Sequence, residues 1–292
     1  HPPTPGNFFP PPSVRVPPQA IAPATDPMKK PSRPKSDYSI QTVTNALRLL
    51  EAFSEKDELG VSEISRDLDL HKNNVFRLLA TLEERGYIEQ CSKNDRYRLG
   101  SRCFQLGQSF ARGRTLLVTA RPALEALSAE SGESAHLAVL RGFDVVHLDS
   151  EVASRLVATT PRIGMSLPAH CTALGKVLLG CADDELRQAF DDEVVAVTGL
   201  DAHTPNTITD REKFFEHLRS VRVQGFATDL EECETGLRCV AAPVFDRAGG
   251  VLAALSLSMP EQRARDDQLL GDLASKVVAA AHRVSEGLGQ LA

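Results

Sequence analysis

Long apolar runs are missing from this sequence of 292 residues. Segments such as "GGVLAALSLSMP" (249–260) stop short of the roughly 18 residues that a membrane-spanning helix needs. No charged opening segment is followed by an apolar stretch, so a secretory signal is not predicted. Both absences argue against a membrane protein and favour a cytoplasmic one. Because the chain opens with His1, Met28 is an alternative natural start.

Paired cysteine motifs are also lacking, since the sequence has no CxxC pair and no Cys/His cluster at zinc-finger spacing. The six cysteines are scattered: Cys91, Cys103, Cys171, Cys181, Cys233 and Cys239. Without an export signal, this scatter favours reduced thiols. A metal site that joins His136, His170 and Cys171 to Cys239 stays open as an alternative.

The signatures of common catalytic sites are absent as well. The sequence contains no GxSxG, HExxH, P-loop or GxGxxG motif, so neither an enzyme nor a cofactor is predicted. The acids Glu231, Glu232 and Glu234 are interpreted as loop residues. The alternatives from other classes are a metal- or thiol-based redox sensor and a hydrolase, each fused to a DNA-binding domain.

What the sequence does have is an uneven distribution of charge behind its net charge of −6. Residues 28–115 carry 16 Lys and Arg against 12 Asp and Glu, a net charge of +4. Residues 116–292 carry 16 against 26, a net charge of −10. Such asymmetry predicts that the first part meets a polyanion and that the second does not.

Residues 1–37 hold 12 of the 18 prolines and predict a disordered tail, which ends in a basic arm. Three amphipathic helices are then predicted, followed by two short strands, "YIEQC" and "RYRLG". Three helices and a hairpin in about 60 residues predict a winged helix-turn-helix domain over residues 38–100.

The exposed face of the third helix carries short amides and an arginine, which suit base edges and phosphates. Two further arginines lie on the wing. The predicted DNA-binding residues are Lys72, Asn73, Asn74, Arg77 and Thr81 on the helix, with Arg96 and Arg98 on the wing. The alternative is a solvated face on a small protein-interaction domain.

Residues 101–115 predict a linker helix with Phe104, Leu106 and Phe110 as its apolar positions. Helices then alternate with strands over residues 116–292, and a hairpin turn at 247–250 joins two apolar strands. Helices with a largely antiparallel sheet predict an α+β domain that senses a ligand.

The stretch "GFATDLEECETGLRCVAAPVFD" (225–246) gives the most specific pattern. Each of nine positions at fixed spacing holds a residue of a defined type, which is small, acidic, aliphatic or aromatic. The nine are Gly225, Asp229, Glu232, Cys239, Val240, Ala241, Val244, Phe245 and Asp246. This pattern, with "LRLLEAF", "NNVFRLLATLEERGYIE" and "HCTALGKVLL", resembles the IclR-type bacterial transcriptional regulators over about residues 39–288.

The resemblance implies a winged helix-turn-helix, a linker helix and a GAF-like α/β effector-binding domain. It implies a homodimer, or a dimer of dimers, that binds near-palindromic operator DNA and responds to a small organic or aromatic acid. The effector-binding residues it implies are Ala173, Leu174, Asp229, Leu237, Cys239, Ser256 and Ser258. Ser256 and Ser258 are spaced by two, so on a strand both hydroxyls face the same side.

Two positions depart from the family pattern. Asn73-Asn74 stand where Ser-Thr is commoner, which is expected to alter operator choice. Ala173-Leu174 stand where smaller residues are frequent, which bears on the size of the effector.

Overall fold

The computed structural model describes residues 39–54, 56–112, 115–155, 159, 162–264 and 267–289. The predicted tail at 1–37, with its basic arm, lies outside this range. No helix among the described residues is long and apolar enough to cross a membrane.

The N-terminal domain has three helices and a two-stranded hairpin, as predicted. The elements are α1 (Gln41–Glu51), α2 (Val61–Leu68), α3 (Lys72–Glu84), β1 (Ile88–Gln90) and β2 (Tyr97–Leu99). Its core is a compact apolar cluster of fully buried side chains that includes Leu49, Ile64, Val75 and Ile88. The hairpin is tied to the helices by a bridge between Leu59 and Tyr97.

Two helices lead into the second domain: α4 (Ser101–Arg112), at the predicted linker, and α5 (Thr115–Ser131). Phe104 and Leu106 on α4 are 70% and 53% exposed, and Val118 on α5 is 69% exposed. Large apolar side chains on α4 and α5 therefore remain in contact with solvent in the single chain.

The second domain is built on a six-stranded sheet in the order β5-β4-β3-β8-β7-β6, with every neighbouring pair antiparallel. The strands are β3 (Ser134–Arg141), β4 (Asp144–Glu151), β5 (Ser166–Pro168), β6 (Ala227–Leu230), β7 (Leu237–Phe245) and β8 (Val251–Pro260). The helices are α6 (Ala173–Cys181), α7 (Asp184–Phe190), α8 (Arg211–Gln224) and α9 (Asp267–Gly287), with a π-helical turn at Asp191–Val195 and a 3-10 turn at Glu261–Arg263. The α+β class is confirmed.

The two faces of the sheet carry separate apolar cores, because successive side chains of a strand point to opposite faces. On β8, Leu255 and Leu257 join the cluster formed with α5 and α9, whereas Ala254 joins the cluster formed with α6 and α8. Ser256 and Ser258 follow the same alternation as Ala254. Both hydroxyl-bearing residues therefore lie on the α6 face.

Four elements were not predicted: β5, β6, α7 and the π-helical turn. The two strands have three and four residues, and α7 has seven. Segments this short contain too few residues to display a hydrophobic period.

Candidate functional site

The first candidate site is the outer face of α3. Asp69 adopts a left-handed conformation (φ 54°) and ends α2, and the His71 side chain then caps α3 by accepting a hydrogen bond from the Asn73 amide at 3.3 Å. Val75 and Leu79 are buried against the other helices. This leaves the five predicted DNA-binding residues of α3 exposed.

Three of these side chains border a cleft between α1 and α3. Asn74, Arg77 and Thr81 line it from α3, and Gln41, Thr42 and Asn45 line it from α1. Amide, guanidinium and hydroxyl groups on one convex helix, with a polar neighbour, can donate to and accept from base edges and phosphates.

The two wing arginines are both paired within the domain. Arg96 forms an ion pair with Glu63 at 2.7 Å and donates to the carbonyl of Glu58 at 2.9 Å. Arg98 pairs with Glu89 at 2.6 Å and is more than half exposed. Arg96 thus links the wing to α2 through its ion pair with Glu63, a structural role that the sequence analysis did not predict. DNA contact by Arg96 or Arg98 stays a prediction.

The second candidate site is a cavity in the C-terminal domain. It brings together all seven predicted effector-binding residues, although they span positions 173 to 258. Its wall also contains His136, His147, Arg162, Leu167, Thr172 and Cys233, which the sequence analysis did not assign to an effector site. The cavity leaves about 30 Å³ for the centre of a water-sized sphere.

The sheet register explains why distant residues meet here. Ser256 lies between His136 on β3 and Ala241 on β7, and Ser258 lies beside Cys239. The Cys239 thiol and the Ser258 hydroxyl are hydrogen-bonded at 3.2 Å. A strip of polar side chains therefore crosses β3, β8 and β7 on the α6 face.

Three polar atoms of this wall are buried and have no hydrogen-bond partner among the described residues. They are the Nδ1 atoms of His136 and His147 and the hydroxyl of Ser256. Burial lowers the pKa of His136 to about 3 and that of His147 to about 4, so both rings are neutral near pH 7. Buried polar groups are normally satisfied, so the wall has unused capacity for a polar ligand.

Positive potential at the cavity comes from Arg162 and from the start of α6. Arg162 lines the cavity and pairs with the exposed carboxylate of Glu234. Thr172 caps α6 by accepting from the Gly175 amide at 3.1 Å, and Thr172, Ala173 and Leu174 all line the cavity. A helix N-terminus favours negative charge through its free amides.

The segment 225–246 positions the acidic side of the cavity. Gly225 ends α8 at a φ of 77°, a left-handed conformation that suits glycine. The Asp229 carboxylate then accepts hydrogen bonds from the amides of Glu232 at 2.7 Å and Cys233 at 3.4 Å. Asp229 therefore closes a turn in the loop that carries Glu231, Glu232 and Glu234, the acids that the sequence analysis interpreted as loop residues.

A buried lysine on α6 forms an ion pair with a residue of this turn. Lys176 on α6 is fully buried and pairs with Glu232, which is 6% exposed. Burial raises the pKa of Asp229 to about 7, although nearby Lys176 acts in the opposite direction. Burial thus favours the protonated form of Asp229 well above the usual range of a carboxyl group.

Gly175 fixes how closely α6 approaches the preceding turn. A Cβ atom at this position would lie 2.1 Å from the carbonyl oxygen of Ala169, a backbone atom. Only glycine fits there without moving the start of α6.

The sequence features that could have identified the residues missed by the sequence analysis differ from residue to residue. His136 is the register partner of Ser256, so strand alternation could have assigned it to the cavity wall. Arg162 lies in a segment between strands where no periodicity applies. Lys176 is missed because its partner is 56 positions away.

Two family models match the chain. The model described as the bacterial transcriptional regulator IclR C-terminal domain matches residues 108–286, and the IclR helix-turn-helix domain matches residues 42–92. The sequence is 35% identical over 251 residues to the HTH-type transcriptional regulator XynR of Escherichia coli, covering 86% of this chain and 98% of the relative.

Solved structures of similar proteins have the same architecture. An IclR transcriptional regulator from Alicyclobacillus acidocaldarius superposes with a TM-score of 0.77 at 27% identity, over 86% of this chain and all of that chain. An IclR homologue from Microbacterium hydrocarbonoxydans, complexed with 4-hydroxybenzoate, gives a TM-score of 0.73 at 26% identity, over 85% and 98%.

Proposed function

The chain belongs to the IclR family of bacterial transcriptional regulators, with a DNA-binding and an effector-binding domain, and on that premise we propose how it works. It binds a near-palindromic operator through α3. A small organic acid in the C-terminal cavity changes its affinity for that operator.

The observation that carries the acid proposal is the composition of the cavity wall. Arg162 and the amides at the start of α6 supply positive potential, while Ser256, His136 and His147 offer unsatisfied hydrogen-bonding atoms. A pocket with a few convergent polar groups in apolar walls suits a small carboxylate.

The size of the cavity narrows the class of acid. The centre of a water-sized sphere has only about 30 Å³ available, so a compact carboxylate of a few carbons needs the least movement of the walls. An aromatic acid such as the 4-hydroxybenzoate bound by the Microbacterium relative would have to displace side chains, with Leu174 and Leu237 in its path.

A ligand can alter operator binding only if it prefers one of two arrangements of the protein. We assign that difference to the spacing of two α3 helices in a homodimer. We propose that a second copy of the chain packs against the exposed apolar side chains of α4 and α5, namely Phe104, Leu106 and Val118. Burial of apolar surface of this kind is the main driving force of association.

The test of effector binding uses the full-length protein and a panel of two- to four-carbon carboxylates and hydroxybenzoates. A ligand that binds raises the melting temperature, because binding stabilises the folded state by mass action. Arg162→Met and Ser256→Ala should reduce this rise, whereas Ser275→Ala, an exposed serine on α9, should not. An equal rise in all four proteins would contradict the proposed site.

Coupling and assembly need separate measurements. A carboxylate that raises the melting temperature should change operator affinity in a gel-shift titration at fixed salt. Unchanged affinity would rule out the coupling while leaving the binding site intact. Phe104→Asp should shift the sedimentation coefficient from dimer towards monomer, and an unshifted dimer would contradict the proposed interface.

A further inference from the structure

A cluster of nitrogen and sulfur ligands lies outside the cavity, where the turn before α6 meets the segment 200–207. His170, Cys171 and His203 each offer one ligand atom, and these atoms all lie within 4.8 Å of one another. None of the three residues lines the cavity. The geometry points to a site for a borderline-soft divalent cation, of which Zn²⁺ is the best match.

The hydrogen bonding of His170 supports this assignment. Its Nε2 atom is 2.9 Å from the carbonyl oxygen of Asp201. A carbonyl oxygen can only accept, so Nε2 carries the proton and Nδ1 keeps its lone pair. Metal-binding histidines commonly donate their second ring nitrogen to a backbone carbonyl in this way, which fixes the tautomer and the orientation of the ring.

The environments of the other two ligands are complementary. Cys171 is fully buried, whereas His203 is exposed, and the rings of His170 and His203 are 5.7 Å apart between centroids. The exposed imidazole gives an ion a route from solvent, and the buried thiol supplies the ligand that selects zinc over magnesium or calcium.

Binding replaces the proton of the Cys171 thiol. The sulfur–hydrogen bond breaks, the proton leaves to solvent, and the thiolate electron pair forms the bond to the metal. Because the thiolate is the ligand, protons compete with the ion for the sulfur. A tetrahedral ion needs a fourth ligand, which a water molecule would supply at the exposed side.

The site would join two segments that flank the effector cavity. Cys171 directly precedes Thr172, the cap of α6. His203 begins a segment whose Thr204 and Thr207 hydroxyls donate, each at 2.6 Å, to the carbonyls of Glu231 and Glu232. A bound ion would therefore hold the start of α6 against the turn at 229–233.

The experiment uses the full-length protein, freed of metal with a chelator and kept reduced. We expect one equivalent of Co²⁺ to produce a near-ultraviolet thiolate-to-cobalt charge-transfer band and the visible bands of a tetrahedral ion. Zn²⁺ added to the cobalt-loaded protein should displace the Co²⁺, and it should raise the melting temperature relative to that of the metal-free protein. Absence of a stoichiometric charge-transfer band would overturn the proposal.

Matched variants locate the ligands. Cys171→Ser should abolish the charge-transfer band, while Cys181→Ser, at the end of α6, should keep it. His203→Asn should weaken Zn²⁺ affinity by at least about 10-fold, because loss even of outer partners costs 10- to 100-fold. The control His282→Asn, at an exposed position on α9, should bind as the parent does.

Since His203 is exposed, its substitution keeps the proposal testable even if Cys171→Ser does not fold. Equal Zn²⁺ affinity in His203→Asn and His282→Asn would contradict the site. Neither result bears on the carboxylate proposal, because none of the three ligand residues lines the cavity.

Discussion

The two domains handle polar side chains in opposite ways. On α3, Lys72, Asn73 and Arg77 are exposed and face solvent on a convex surface. In the C-terminal domain Lys176, Asp229 and His136 are buried, and burial has moved the pKa values of the last two far from their usual range. Exposed polar groups leave stability almost unchanged and are available to a large partner, whereas buried groups shape both stability and the cavity.

The sharpest test of this contrast exchanges one lysine in each domain for methionine. Lys176→Met leaves Glu232 buried without its partner, and we expect a loss of about 3–5 kcal/mol in the free energy of unfolding. Lys72→Met should change it by less than about 0.5 kcal/mol. Denaturant titration of both variants measures the difference, and similar losses would break the comparison.

The next test concerns the raised pKa of Asp229. A carboxyl whose folded pKa is about 7 contributes stability at pH below about 4, and that contribution is lost as the pH rises to about 7. Asp229→Asn does not titrate, so at pH 8 it should exceed the parent protein in stability by roughly 1–4 kcal/mol, an advantage that disappears at pH 4.

Thermal unfolding at a series of pH values measures this effect. Asp144→Asn, at an exposed position at the start of β4, serves as the control and should follow the parent at every pH. A constant difference between Asp229→Asn and the parent would show that Asp229 does not titrate in this range.

Arg77→Ala tests the exposed side of the comparison. Loss of a guanidinium that contacts a base or phosphate should weaken operator binding by about 1–3 kcal/mol, or roughly 5- to 150-fold, while thermal stability stays unchanged. The DNA is a fragment selected from a random library by the parent protein. Arg48→Ala, at an exposed position of α1, is the matched control, and equal affinity of the two variants would remove Arg77 from the interface.

The smallest effect is expected on the wing, where Arg96 has a structural role and Arg98 is an exposed residue predicted to contact DNA. Arg96→Ala removes the ion pair with Glu63 and the bond to the Glu58 carbonyl, so the free energy of unfolding should fall by about 1 kcal/mol. Arg98→Ala should leave stability unchanged and reduce the salt dependence of operator binding. If Arg96→Ala affects only DNA binding, the structural role assigned to Arg96 is wrong.

The extent to which sequence predicted structure differs between the two domains for a physical reason. The helices of the N-terminal domain have apolar periods long enough to be recognised, and α3 follows directly from Val75, Leu79 and the turn at Asp69. The cavity residues were implied by the family resemblance, which rests mainly on the fixed spacing of 225–246, and the alternation of Ser256 and Ser258 agrees with it. Their contribution to an effector site remains a prediction.

What the sequence did not reveal depends on contacts between distant segments. Lys176 was not singled out, because only the folded chain brings Glu232 to it. The structural role of Arg96 was not predicted either, since its ion pair with Glu63 crosses from the wing to α2. The unsatisfied atoms of His136 and His147 become apparent only when every potential partner has a position.

Gly175 separates what can vary in this cavity from what cannot. Because a side chain at 175 would collide with the backbone of Ala169, the start of α6 has a fixed position relative to the sheet. Ala173, Leu174 and Leu237, in contrast, line the cavity with side chains of different size. Exchange of these side chains would therefore change the shape of the cavity without changing how closely α6 approaches the preceding turn.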